Sequence, residues 1–234
     1  MQPEDDAEVP RWAVVVPVKR LTHAKTRLAV LGDSARRELA LAFAEDVVLA
    51  AVACPLVSSV VVVTDDRAAA AAVAALGATV TSDVPAAGLD AALEHGAAVA
   101  RRGAPLGVAA VAADLPALTG PALTGLLTRV ASRGVVPDLA GTGTTVLAAS
   151  AGVRLAPSYG PGSLGRHLAG GAALLPAPDG ARRDVDTPGD LREALELGVG
   201  PRTLAAATRH GLDLQGARTA KTSRCSPSGG TMHG

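Results

Sequence analysis

Short apolar runs alternate along the chain with longer stretches rich in Ala, Leu, Arg and Glu. The short runs predict strands, and the longer stretches have the length and spacing of helices. The predicted strands are 12–16, 59–64, 78–81, 107–112, 144–149 and 172–175, and the predicted helices are 34–53, 67–76, 89–101, 120–132, 163–169 and 189–197. Several strands are apolar throughout, as strands buried on both faces of a sheet are. The pattern therefore predicts a three-layer α/β domain with a mainly parallel central sheet.

The two ends of the chain differ in character from the part between them. Residues 1–10 are acidic and contain Pro, while residues 211–234 are polar, rich in Gly and Ser and without periodicity. Such segments cannot bury enough apolar surface to fold alone. We therefore expect a disordered extension at 1–10, one domain at 11–210 and a disordered tail at 211–234.

Composition argues against several classes of protein. The 22 basic and 22 acidic residues cancel, and aromatic residues make up only 1% of the chain. Neither an overall positive field nor stacking platforms for bases are therefore present, so we expect no nucleic-acid partner. The longest apolar run, 47–63, is interrupted by Pro and Ser, which is unlike a membrane span. With an acidic start and 2 cysteines, we expect a cytoplasmic protein without disulfides or membrane partners.

A basic segment, PVKRLTHAKTRL, follows the first predicted strand. The chain contains only three lysines, and two of them, Lys19 and Lys25, lie here with Arg27. In parallel α/β sheets, ligands bind beyond the carboxyl ends of the strands, and long cationic side chains suit the oxygens of a di- or triphosphate. The segment indicates a phosphate-binding loop, with a solvated basic loop as the alternative.

Two acidic segments follow later strand ends. VAADLPAL places Asp114 after an apolar strand, and RRDVDTPGDL places Asp184 and Asp186 at period two in a predicted short strand. A carboxylate at a strand end is a suitable Mg²⁺ ligand, because this cation keeps most of its waters and needs few protein oxygens. Asp114 alone is also typical of a residue that caps a turn. The two segments together favour a shared Mg²⁺ site.

Glycine-rich segments lie at 141–147 and 159–170. The second contains G-x-G-x-x-G, but it comes late and lacks a preceding apolar strand, so it does not indicate a dinucleotide fold. Ser163 is predicted as a helix N-cap, and that helix end, with the hydroxyls of Thr144 and Thr145, could bind an anion. Ordinary tight turns are the alternative. In GLDAAL, Asp90 is predicted as the N-cap of the helix at 89–101.

Six segments in the same order resemble one enzyme family. VPVKRLTHAKTRL, GLDAAL, ADLPAL, GTGTTVL, YGPGS and RRDVDTPGDL are similar to segments of the phosphoenolpyruvate and 2-phospho-L-lactate guanylyltransferases of coenzyme F420 biosynthesis. These belong to a nucleotidyltransferase superfamily that includes the molybdenum-cofactor guanylyltransferases. The likeness runs from about Trp12 to Thr208. It implies a single α/β nucleotidyltransferase domain with a mixed sheet, which transfers GMP from GTP to the phosphate of a three-carbon acid and releases diphosphate.

The resemblance also assigns roles residue by residue. Asp114 and three basic residues would be catalytic, and the basic ones would also bind the nucleotide: Lys19, Lys25 and Arg27. Asp114 and Asp186 would hold Mg²⁺, and Asp184 is a lesser candidate for the same role. The acceptor would be bound by Thr144, Gly160 and Ser163. Asp90 matches a nucleotide-binding position at which the family usually has Asn. The side-chain amide of Asn can donate a hydrogen bond, and the carboxylate of Asp cannot.

The resemblance is strongest to the branch that uses phosphoenolpyruvate, so we expect GTP and phosphoenolpyruvate as substrates, with Mg²⁺ as cofactor. A downstream transferase that accepts the product is the implied protein partner. The acceptor could instead be 2-phospho-L-lactate, 3-phosphoglycerate or another phosphorylated compound such as a sugar or pterin phosphate. A catalytically silent nucleotide-binding protein is the alternative of another class.

Overall fold

A computed structural model of the chain describes residues 11–102 and 104–212. The predicted disordered segments lie outside these residues, apart from Gly211 and Leu212. None of the described helices combines the length and the apolar composition that crossing a membrane requires.

Within the described residues, seven strands form one central sheet. They are β1 (Trp12–Pro17), β2 (Val57–Val63), β3 (Thr79–Thr81), β4 (Gly107–Val111), β5 (Arg133–Pro137), β6 (Thr144–Ala149) and β7 (Ala173–Leu174). Their order across the sheet is β3-β2-β1-β4-β6-β5-β7. Strand β6 is antiparallel to both its neighbours, and the other described pairs are parallel. The sheet is therefore mixed and mostly parallel, as predicted.

The described residues form seven helices, of which the first five connect strands and the last two follow β7. They are α1 (Asp33–Val52), α2 (Arg67–Ala74), α3 (Leu89–Ala100), α4 (Gly120–Leu127), α5 (Ser163–Ala169), α6 (Pro188–Leu197) and α7 (Pro201–Arg209), with 3₁₀ turns at Thr26–Leu31 and Asp179–Ala181.

Strand β1 shows why the fold has three layers. Trp12, Val14 and Val16 pack into a core that also contains buried residues of α1 and α4. Ala13 and Val15 pack into a second core with residues of α3 on the opposite face. Because successive side chains of a strand point to opposite faces, an entirely apolar strand needs a helical layer on each side. The predicted three-layer α/β domain is confirmed.

The reversed direction of β6 determines what lies at one edge of the sheet. Val111 at the end of β4 pairs with Val146, and the Ala112 N–H donates to the Thr145 carbonyl at 2.9 Å. The start of β6 therefore lies beside the carboxyl ends of β1 and β4. Residues that follow β1 and β4 share this edge with Thr144, the first residue of β6.

Some predicted elements were wrong. The segment with Asp184 and Asp186 is not a strand, although the Val185 N–H donates to the Asp114 carbonyl at 3.0 Å. The helix predicted at 120–132 ends at Leu127, and β5 begins six residues later. Strand β5 was missed because RGVVP offers only two β-branched residues. Helix α7 was missed because the residues it buries, Thr203, Ala206 and Ala207, are small and include no large apolar side chain.

Candidate active site

A cavity of about 520 Å³ opens at the sheet edge where β1 and β4 end and β6 begins. It is lined by eight of the residues that the sequence indicated: Lys19, Lys25, Arg27, Asp114, Thr144, Thr145, Asp184 and Asp186. Tyr159 also lines it. Two sides with different chemistry face this cavity. The charged wall comprises Lys19, Lys25, Arg27, Asp114, Asp184 and Asp186. The neutral wall comprises Thr144 and Tyr159, which line the cavity, together with Ser163 and His167, which are buried and bond to Thr144.

The basic loop is held in place by a buried arginine. Arg36 of α1 is only 5% exposed, and its guanidinium donates to the carbonyls of Leu21 at 3.0 Å and Thr22 at 3.3 Å. The Leu21 N–H in turn donates to Oδ2 of Asp66, at 2.9 Å. A guanidinium with several donors can fix several carbonyls at once. Sequence reasoning missed Arg36 because it stands within a helix among other charged residues.

Lys25 joins the two acidic segments. Its Nζ donates to Oδ2 of Asp114 and, at 2.6 Å, to Oδ1 of Asp186. Burial opposes the charge, but the two carboxylates outweigh it and raise the pKa of Lys25 above its usual value. The side chain therefore stays an ammonium ion at neutral pH. The tertiary structure has brought together residues that are 89 and 161 positions apart.

The other two cations of the charged wall are more accessible. The side chain of Arg27 is 74% exposed, and its Nη1 lies 3.8 Å from Oδ2 of Asp186. Lys19 is exposed where β1 leads into the loop. Both side chains can therefore reach an anion that enters the cavity without first giving up a buried ion pair.

The carboxylates of the charged wall suit a divalent cation. Oδ1 of Asp114 is buried and has no hydrogen-bond partner in the described part of the chain. Burial, reinforced by Asp114, raises the pKa of Asp184 to about 6. The site therefore has one carboxylate oxygen without a partner and one carboxyl group whose charged form is disfavoured by burial, and a bound cation would relieve both. Residues 11–102 and 104–212 contain no group of three or more His, Cys, Asp or Glu side chains arranged to hold a metal. An ion bound by Asp114 and Asp186 would need water and substrate oxygens, as Mg²⁺ commonly does.

The neutral wall centres on the hydroxyl of Thr144. Its Oγ1 lies 2.9 Å from Nδ1 of His167 and 3.1 Å from Oγ of Ser163. Ser163 was predicted as the N-cap of α5, and this was wrong. Gly162 occupies that position, and Ser163 is the first helical residue. The prediction failed because the serine hydroxyl is engaged by Thr144 rather than by the helix backbone.

Thr145 has a structural role rather than the predicted ligand contact. Its buried hydroxyl donates to the carbonyl of Ala181 at 2.8 Å. Thr145 lines the cavity beside Thr144, but its hydroxyl already donates to Ala181, so we assign only Thr144 to the neutral wall.

The loop before α5 carries the predicted residue Gly160. Its φ of 108° lies in the region that favours glycine. Arg166 of α5 donates back to the carbonyls of Ser158 at 3.1 Å and Tyr159 at 2.9 Å. The loop that carries Gly160 to the mouth of the cavity is therefore fixed by the helix that follows it.

Asp90 was predicted as the N-cap of α3, and this was wrong, because Gly88 holds that position. The carboxylate of Asp90 turns instead to the neutral wall, where Oδ1 accepts a hydrogen bond from the Tyr159 N–H at 2.8 Å. This contact requires only an acceptor oxygen. The replacement of the family's usual Asn by Asp is compatible with it, since both side chains supply such an oxygen.

The chain is similar to known proteins of one enzyme family. The family described as "Guanylyl transferase CofC like" matches residues 12–173. The phosphoenolpyruvate guanylyltransferase of Streptomyces coelicolor is 53% identical over 85% of this chain and 97% of its own length. The protein of that name from Thermomonospora curvata is 49% identical over 92% and 96%.

Solved structures agree on the fold. A protein of Desulfovibrio desulfuricans, named for the nucleotide-diphospho-sugar transferases, aligns with a TM-score of 0.66 at 15% identity, covering 87% of this chain and 96% of its own. A nucleotidyl transferase from Methanothermobacter aligns with a TM-score of 0.59 at 17% identity, covering 80% and 97%. The structural likeness supports the nucleotidyltransferase fold alone. From the match of the family model and the identity of these relatives, the chain belongs to the CofC-like guanylyltransferase family.

Proposed function

We propose that this protein transfers GMP from GTP to phosphoenolpyruvate, forming enolpyruvoyl-2-diphospho-5'-guanosine and diphosphate. The observation that carries the proposal is one cavity with a charged wall, joined through Lys25, and a neutral wall of hydroxyl groups around Thr144. Relatives that bear the name of this activity are 53% and 49% identical to the chain. The cavity has room for a nucleotide and a small acid side by side.

The reaction needs positioning and charge stabilisation rather than proton removal. An oxygen of the acceptor phosphate attacks the α-phosphorus of GTP, a new phosphoanhydride bond forms, and the bond to the bridging α–β oxygen breaks as diphosphate leaves. The acceptor phosphate is already anionic at neutral pH, so no general base has to act first. The main obstacle is the approach of two anions, which fixed charges can reduce.

The charged wall would hold the nucleotide. Lys19 and Arg27 are accessible to the β- and γ-phosphates, where negative charge develops on the leaving diphosphate. Asp114 and Asp186, with Asp184 beside them, would hold Mg²⁺, which would screen the phosphate charges. Lys25 would then pass from these carboxylates to the phosphates, because ammonium and metal cannot share the same carboxylate oxygens.

The neutral wall would hold the acceptor. Thr144 offers its hydroxyl group, which Ser163 supports from behind, and the loop that carries Gly160 reaches the cavity at the neighbouring Tyr159. Hydrogen bonds from neutral donors can orient a carboxylate without competing with the charged wall for the phosphates.

The proposal extends to the surroundings of the enzyme. The product is a reactive phosphoanhydride, so a transferase that takes it up must follow, and we place that step in coenzyme F420 biosynthesis in the cytoplasm. GTP and a small phosphorylated acid are the substrates, with neither nucleic acid nor membrane as partner.

The test is an acceptor panel. Purified protein with GTP is offered phosphoenolpyruvate, 2-phospho-L-lactate and 3-phosphoglycerate in turn, with and without Mg²⁺, while diphosphate release and product mass are recorded. We expect the fastest release with phosphoenolpyruvate, dependent on Mg²⁺, and slower release when ATP replaces GTP. No release with any acceptor would overturn the proposal, faster turnover of another acid would correct the acceptor, and release without acceptor would indicate hydrolysis.

A further inference from the structure

We propose that His167 is a positioning residue that makes Thr144 an obligate hydrogen-bond donor toward the acceptor acid. The inference rests on the proposed function for the identity of the acceptor. The hydrogen bonds themselves are a property of the fold. They determine which group donates and which accepts, first at His167 and then at Thr144.

The tautomer of His167 follows from one backbone contact. The Ser158 N–H donates to Nε2 of His167 at 2.9 Å. A backbone amide can only donate, so Nε2 must present its lone pair. In a neutral imidazole the other nitrogen then carries the proton. Nδ1 is therefore the donor in the 2.9 Å contact with Oγ1 of Thr144.

The hydroxyl of Thr144 is consequently committed as an acceptor inside the protein. It accepts from Nδ1 of His167 and also from Oγ of Ser163 at 3.1 Å. A hydroxyl oxygen has two lone pairs, and both are occupied. Its own proton has no acceptor among the residues that the structure describes, while Thr144 lines the cavity. The proton is therefore available only to a group that enters the cavity.

The surroundings keep His167 neutral and oriented. The residue is 3% exposed, and its ring meets the ring of Tyr159 edge-to-face, with 5.2 Å between centroids and 71° between planes. Burial lowers the pKa of His167 below its usual value; Asp90 opposes this shift, and Arg166 and Arg133 add to it. A cationic ring would also direct an N–H at the Ser158 amide, which cannot accept. The single neutral tautomer is the form that satisfies every contact.

This arrangement has a consequence for specificity. A group that only donates toward the cavity binds an oxygen with free lone pairs, and it binds an anionic oxygen most strongly. A hydroxyl free to rotate would also accept from an alcohol or an amide. His167 thereby makes the neutral wall selective for a carboxylate or phosphate oxygen, which the proposed three-carbon acid supplies.

Two variants separate the proton that His167 donates from its bulk. In His167→Asn, the side-chain amide can donate from near the position of Nδ1. In His167→Gln, the longer side chain places its amide near the position of Nε2 and leaves Thr144 without its donor. We expect the Gln variant to raise the KM for phosphoenolpyruvate about tenfold, as the loss of an oriented hydrogen bond to a charged group does, with the KM for GTP unchanged. The Asn variant should recover most of this loss.

The matched control is His95→Gln. His95 is half-buried and bonds Thr81 through Nε2 at 3.0 Å, away from the residues that line the cavity. We expect this variant to keep both KM values. Equal effects of Gln and Asn at position 167, or parallel increases in both KM values, would overturn the positioning role.

Two measurements do not depend on turnover. In long-range proton–nitrogen NMR spectra of the full chain, with His167 assigned by its loss in the Asn variant, we expect protonated Nδ1 and unprotonated Nε2. The opposite tautomer or an imidazolium ion would overturn the inference. Calorimetric titration with phosphoenolpyruvate should show weaker binding to the Gln variant than to the Asn variant, and equal binding would also overturn it. If the NMR and binding results hold but no transfer occurs, the proposed function fails and the role of His167 stands.

Discussion

The two walls of the cavity solve different problems with different chemistry. The charged wall contains three cations and three carboxylates, with an accessible Arg27 and a Lys25 that satisfies two carboxylates at once. The neutral wall is uncharged and connected by hydrogen bonds around Thr144, and its Ser163 and His167 are buried. Exposed charges can rearrange at small cost, whereas a buried network keeps one geometry. The charged wall can therefore adjust to a nucleotide and a metal, and the neutral wall is preorganised for one small ligand.

The largest expected effect is on the charged wall. Asp114→Asn removes a negative charge where Lys25 and a metal would both bind, so we expect turnover to fall about 10²- to 10³-fold, as when one electrostatic stabiliser is lost. Initial rates of diphosphate release measure this. Asp179→Asn is the control, because Asp179 is exposed and its recorded contacts use its backbone carbonyl. Near-normal turnover of Asp114→Asn would remove that residue from the site.

Lys25→Met tests whether the charged wall rearranges. Without the ammonium ion, Asp114 and Asp186 lose an internal competitor for a metal. We expect Mn²⁺, measured by paramagnetic resonance in the absence of nucleotide, to bind about tenfold more tightly, while turnover falls at least tenfold because charged hydrogen bonds are lost. Lys19→Met keeps the Lys25 pair and should leave Mn²⁺ affinity unchanged. Weaker Mn²⁺ binding to Lys25→Met would show that the ammonium and the metal do not compete.

Thr144→Val and Thr145→Val separate binding from stability on the neutral wall. The first should raise the KM for the acceptor about tenfold, because it removes the hydroxyl proton that Thr144 directs into the cavity. The KM for GTP should stay unchanged. The second should keep both KM values and lower the free energy of unfolding by about 1–3 kcal/mol, because the carbonyl of Ala181 loses its buried donor. Reversed outcomes would mean that the two threonines had been assigned the wrong roles.

Asp184 of the charged wall should make the stability of the protein depend on pH. The pKa of Asp184 is raised to about 6 from its usual 3.8 by burial and by Asp114. The folded state thus holds this proton more tightly than the unfolded state does, so stability falls as pH rises from about 4 to 6. Asp184→Asn should match the original protein below pH 4 and be more stable at pH 7. Urea unfolding without metal measures this, and Thr144→Val should not alter the pH profile.

The smallest effect is expected where the chain departs from the family. Asp90→Asn keeps an oxygen that can accept the Tyr159 N–H. We expect less than a threefold change in either KM, since the contact is retained. Asp90→Leu removes the acceptor and should disturb the loop at Gly160, with a higher KM for the acceptor. If Asp90→Asn instead changed the KM for GTP strongly, the carboxylate would act on the nucleotide directly.

The sequence predicted most of the fold because its signals are local. Alternation of apolar strands with longer helices gave the three layers, and the predicted limits of β6 and α5 agree with the structure. Local signals failed where an element is held by residues that lie far away in the sequence. Helix α7 is held by contacts such as the one from Thr203 N–H to Oδ2 of Asp46 in α1, at 2.8 Å. No periodicity within α7 contains that information.

The site was predictable in its residue types and only partly in its contacts. Charged side chains after strand ends identified Lys19, Lys25 and Asp114, because parallel strands place their carboxyl ends at one edge. Arg36 and His167 gave no such signal: an arginine within a helix and a lone histidine are usually structural. Their roles depend on the carbonyls and hydroxyls that surround them in space.

The sequence by itself determined the chemical groups available and the strand ends after which most of the charged ones lie. Only the tertiary structure decided that Lys25 lies between Asp114 and Asp186, and that Ser163 bonds to Thr144 rather than capping its own helix. Hydrogen bonds and ion pairs depend on distances of about 3 Å, and such distances between residues far apart in the chain are set by how the sheet and helices pack.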